Sequence, residues 1–102
     1  MDYQLVIKFW RKSLKDEAFL ATIESELKEV VKDATLDGYD VRDDEINLFV
    51  LTTDPKRTFR RIKTVLEAKG VLPSVSAASR LAGGAKFTSI WPLRAMRKFR
   101  LP

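Results

Sequence analysis

The chain has 102 residues, a net charge of +5, and neither cysteine nor histidine. A chain of this length folds as one domain around a single core. Without those two residue types, thiol nucleophiles, disulfide redox work, Cys/His zinc sites and histidine triads are excluded, since each needs a soft ligand or a group titrating near neutral pH. No apolar run reaches the roughly 18–20 residues of a membrane helix, and Met1-Asp2-Tyr3-Gln4 lacks the basic-then-apolar layout of a secretory signal, so a cytoplasmic protein is expected.

The charge is unevenly spread. Through Asp54 there are seven basic and thirteen acidic residues; from Pro55 onward there are twelve basic residues and one acid, Glu67. Such asymmetry points to an anionic partner for the second half, or to an acid–base match inside the fold.

Tyr3 to Trp10 sets Leu5, Ile7 and Phe9 against Val6, Lys8 and Trp10, the period of a strand. Ser13 and Asp16 then have the spacing of a capping box. From about Lys15 to Lys32, Phe19, Leu20, Ile23, Leu27, Val30 and Val31 recur at three- and four-residue steps, which predicts a helix with acidic flanks at Glu17, Glu24, Glu26, Glu29 and Asp33. Leu36, Tyr39 and Val41 around Asp37-Gly38 suggest a strand broken by a bulge or turn, and Asp43-Asp44 a tight turn out of it.

Glu45 to Leu51 is the central strand. Ile46, Leu48 and Val50 point to one side and Asn47, Phe49 and Leu51 to the other, so both faces are largely apolar. Asp54-Pro55 starts a second helix, because Asp caps free amides and Pro has none to leave unpaired. Phe59, Ile62, Val65 and Leu66 gather on one side of it, and Lys56, Arg57, Arg60, Arg61 and Lys63 spread over the opposite arc. Gly70 ends it. Pro73 opens another strand through Leu81, Gly83-Gly84 reverses the chain, Lys86 to Trp91 returns, and Pro92 stops it. The domain is expected to span 1–92. Residues 93–102 form a basic tail in which Arg94, Arg97, Lys98 and Arg100 alternate with apolar residues, and packing on its own domain is the favoured reading of it.

Strand, helix, strand, strand, helix, strand, strand describes an α+β fold: a two-layer ferredoxin-like βαββαβ sandwich with an extra C-terminal hairpin strand. Both helices then cover one sheet face. The other is left to Val6, Lys8, Trp10, Asn47, Phe49 and Leu51, whose apolar character calls for the tail, a second subunit or a ligand.

Two surfaces therefore stand out as partner sites. Trp10, Asn47 and Phe49 mark the sheet face, for a protein partner or a homodimer. Lys56, Arg57, Arg60, Arg61 and Lys63, with Arg94, Arg97 and Lys98 of the tail, suit an acidic partner, and any nucleic acid bound there would be held without sequence preference, because no aromatic interrupts the helical cations. An RNA-recognition module would need two exposed aromatics on the central strand, where only Phe49 stands. No metal or cofactor is expected. Asp37, Asp40, Asp43, Asp44 and Glu45 lack the spacing of an EF-hand loop, and Gly83-Gly84-Ala85-Lys86 lacks the first Gly and the final Ser/Thr of a phosphate loop. A binding module is favoured over an enzyme, which would need a defined pocket around Tyr39, Asp40, Glu45 or Asn47.

Gly38-Tyr39-Asp40, Glu45-Ile46-Asn47-Leu48-Phe49, Thr53-Asp54-Pro55 and Phe87-Thr88-Ser89-Ile90-Trp91-Pro92 resemble a group of small uncharacterised bacterial proteins. In that group a Gly-aromatic-Asp turn precedes an Asn-containing strand, and a Thr-x-x-Trp-Pro segment closes the domain. The resemblance covers about positions 36–92 and implies no settled activity. Tyr39 stands where His is frequent in the group, and Lys86 where an acid is usual.

Overall fold

In a computed structural model of the protein, residues 2–10, 17–31, 33–92, 99 and 101 are described. The elements run β1 (Tyr3–Trp10), α1 (Glu17–Val30), β2 (Thr35–Val41), β3 (Glu45–Thr52), α2 (Pro55–Ala68), a single 3-10 turn (Leu72–Ser74), β4 (Val75–Leu81) and β5 (Thr88–Trp91). The strands form one antiparallel sheet in the order β2-β3-β1-β4-β5, which puts β1 at its centre, β3 and β4 on either side of it, and β2 and β5 at its edges. The fold is thus α+β, with two helices and a five-stranded sheet. The expected capping box at Ser13 and Asp16 lies outside the described residues.

Period-two alternation in the strands builds the core. Leu5, Ile7 and Phe9 of β1, Ile46, Leu48 and Val50 of β3, and Val75 and Ala77 of β4 meet Leu20, Ile23 and Leu27 of α1 and Phe59, Ile62 and Leu66 of α2 in one buried cluster. Each helix contributes the apolar stripe that its three- and four-residue spacing foretells. Among the described residues, no helix is long and apolar enough to cross a membrane.

Local chemistry sets the boundaries. Asp54 accepts a hydrogen bond from the Arg57 amide at 3.1 Å, with Pro55 opening α2. Upstream, the Thr52 and Thr58 hydroxyls pair at 2.7 Å in the buried interior, and Thr52 also accepts from the Asp54 amide. The helix ends with Gly70 at φ +73° and with Gly70 and Val71 amides returning to Glu67 and Leu66, the paired closure that glycine permits. Gly38, at φ +80°, accompanies the register shift between Leu36 and Tyr39 in β2, so the break expected at Asp37-Gly38 is a bulge within a strand. Asp43-Asp44 is the turn of the β2–β3 hairpin, closed by the Arg42 amide on the Glu45 carbonyl.

Two boundaries differ from expectation. β4 begins at Val75 because Pro73 sits in the preceding 3-10 turn, and β5 begins at Thr88, not Lys86. Phe87 lies outside the ladder, in which Thr88 pairs with Ser79.

Candidate functional site

The sheet face away from the helices is not open. Val6, Asn47 and Ala78 on it have no solvent exposure, Phe49 and Leu51 are half-buried, and Trp10 is exposed at 43%. The expectation that Asn47 would contact a partner is therefore corrected, since the chain itself covers that side chain. Trp10 alone of the three is exposed.

Part of the cover comes from Phe87 and the C-terminal Phe99. Their rings lie 5.0 Å apart, the Arg80 guanidinium stands 4.7 Å from the Phe87 ring, and Arg80 donates to Gln4 at 2.8 Å. Phe99 also lies under the Lys8 ammonium at 4.8 Å. Favoured packing of the tail on its own domain thus holds at Phe99; Arg94, Arg97 and Lys98 lie outside the described residues.

Beneath this cover sits a polar cluster. Antiparallel register sets Lys8 opposite Asn47 and Trp10 opposite Glu45, which brings one cation, one carboxylate and one amide together on adjacent strands. Lys8 Nζ lies 3.4 Å from Glu45 Oε2, and Asn47 Nδ2 donates to the same oxygen at 2.7 Å. The ammonium is also 5.8 Å from the Trp10 ring. Asn47 Oδ1 is buried and meets no donor among the described residues. A cleft of about 650 Å³ opens beside the cluster, between Lys8 and Glu45, the hairpin residues Val41 to Asp44, and Leu101. At its rim Arg42 is hydrogen-bonded to Asp40 at 2.9 Å, and that contact raises the guanidinium pKa. Glu45 is committed to Lys8 and Asn47. Both contacts fall on its Oε2.

The cations of the basic helix fall into three groups. Arg61 pairs with Asp33 at 2.8 Å and Lys69 with Glu26 at 2.9 Å, which ties α2 to α1 and to the turn after it. This is the internal acid–base match allowed by the charge pattern. Lys56, Arg57 and Arg60 are exposed, and none of them pairs with a described carboxylate. Lys63 takes a third course. Its ammonium lies 4.5 Å from the centroid of Trp91, which rests against buried Phe59 with ring centroids 6.2 Å apart.

Trp91 is the residue that sequence reasoning did not connect to the helix. It is the last residue of β5, opposite Ala77 of β4, and this position carries it to the flank of α2. A groove of about 330 Å³ results, lined by Lys56, Phe59, Arg60, Lys63, Ser89, Ile90 and Trp91. Among the described residues, no carboxylate lines it. The reading of α2 as a cationic face without an aromatic is thereby corrected: the aromatic arrives from β5.

Among the described residues, no three acidic side chains are grouped to hold a metal ion. Comparison of the chain with protein-family models, with curated proteins and with solved structures found no match.

Proposed function

We propose that the protein is a small non-enzymatic binding module that holds a phosphate-bearing polymer, a nucleic acid, on the α2 surface without reading its sequence. The observation that carries this reading is the group Lys56, Arg57 and Arg60, three exposed cations on consecutive turns with no carboxylate of the described chain beside them. Like charges at such spacing repel, and phosphates relieve that repulsion while releasing counterions. The strand order and the split β-α-β connections support a ferredoxin-like βαββαβ unit extended by β5, in which α2 has one side free for a partner.

The reading moves the working surface away from the second sheet face. A homodimer through that face would have to displace Phe99 from Lys8 and uncover a buried ion pair. Fluorescence anisotropy of a labelled mixed-sequence oligonucleotide at low salt tests the proposal, with light scattering of the same samples to separate capture from self-association. Binding that weakens steeply with salt supports it. Absence of binding at low salt refutes it.

A further inference from the structure

We infer that the α2/β5 groove takes single-stranded nucleic acid in preference to duplex, seating one base on the Trp91 indole in place of the Lys63 ammonium. This rests on the nucleic-acid reading above and adds what the groove does with the partner. Three features meet there. Trp91 is backed by buried Phe59, so the ring is fixed in place. The group over the indole is the end of a flexible lysine stem, at 4.5 Å, in place of a packed apolar side chain. Lys63 takes this position although Glu67, an acid of the same helix, lies four residues further on, and no ion pair joins the two.

An ammonium on an aromatic face is a modest attraction at a half-exposed site, and a base can replace it: the π-face of any base stacks on indole, while the freed cation turns to the adjoining phosphate. Lys56 and Arg60 line the same groove, so charges for the flanking phosphates stand beside the stacking surface. The groove volume of about 330 Å³ falls at the low end of the range for ligand sites, about 300–1,000 Å³. It has room for a base already out of its stack. Duplex bases are paired and stacked, and reach such a surface only after unstacking. An acidic peptide would satisfy the cations but would leave the indole unused.

The test compares anisotropy titrations of a labelled 15-nucleotide oligothymidylate, a 15-base-pair duplex and polyglutamate, all at low salt. The Trp10→Phe background leaves Trp91 as the single indole. The single strand should bind roughly tenfold tighter than the duplex and quench the Trp91 emission. Trp91→Leu, which keeps bulk against Phe59, should remove that preference, while Lys56→Gln/Arg60→Gln should weaken single strand and duplex alike. Circular dichroism confirms that each variant is folded. If single strand and duplex bind equally and Trp91→Leu changes neither, the stacking inference is overturned and the nucleic-acid reading stands. If polyglutamate competes as well as the single strand, or if neither nucleic acid binds, both are overturned.

Discussion

Replacing Lys8 by methionine keeps the length of the stem and deletes the charge, which isolates what the buried ion pair does for the fold. The Lys8 and Glu45 side chains are only 10% and 11% exposed, and their charged atoms lie 3.4 Å apart. At an effective dielectric of about 20 that distance corresponds to an attraction of about 5 kcal/mol, most of which is offset by the desolvation of both groups. Without Lys8, Glu45 stays under the same cover with one described hydrogen bond, from Asn47. Lys8→Met should therefore destabilise the fold by about 3–5 kcal/mol, the range for removing one partner of a buried pair. In a domain of this size each kcal/mol moves the melting temperature by about 4–8 °C. The double variant Lys8→Met/Glu45→Gln removes both charges and should recover most of the loss, to within about 1–2 kcal/mol of the parent protein. Urea unfolding at pH 7, followed by tryptophan fluorescence, measures all four corners of the cycle. A loss below about 1 kcal/mol in Lys8→Met, or a double variant as unstable as the summed singles, would refute the reasoning.

Other consequences follow from single contacts. Phe99→Ala/Leu101→Ala strips cover from Lys8 and the cleft, and sedimentation velocity should show stronger concentration-dependent self-association than in the parent protein. Asp54→Ala removes the cap on the Arg57 amide and should lower stability by about 1 kcal/mol in a denaturant titration. Arg61 is already paired to Asp33 on a partly exposed surface, so Arg61→Gln should change stability by less than about 1 kcal/mol. In anisotropy titrations Arg61→Gln should also weaken oligonucleotide binding less than Arg60→Gln does, and the reverse ranking would argue against the division of the helix into paired and unpaired cations.

Much of the fold was legible because local signals agreed with the packing. Asp54-Pro55 and Gly70 bound α2 by their own chemistry, and Asp37-Gly38 marks a bulge because glycine reaches positive φ without strain. The double-sided apolar pattern of Glu45 to Leu51 identified a central strand. What covers the second face of the sheet depended on contacts distant in sequence, and Phe99 over Lys8 has no local signature. The Lys8–Glu45–Asn47 cluster needed the β1–β3 register as well as the face assignment, and alternation gives only the latter. The groove was missed for the same reason. Lys63 and Trp91 are each ordinary in sequence, one a helix cation and the other a strand terminus, and only pairing of β5 with β4 brings them together.

The salt dependence of oligonucleotide affinity, measured for the parent protein and for Lys56→Gln/Arg60→Gln, addresses the binding surface most directly. Four phosphate contacts, by Lys56, Arg57, Arg60 and the Lys63 ammonium freed from Trp91, predict a slope of about −2.8 in log affinity against log salt for a single strand, falling to about −1.4 when two of the cations are removed. A parent slope near zero, or one that the double substitution leaves unchanged, would place the partner elsewhere on the molecule.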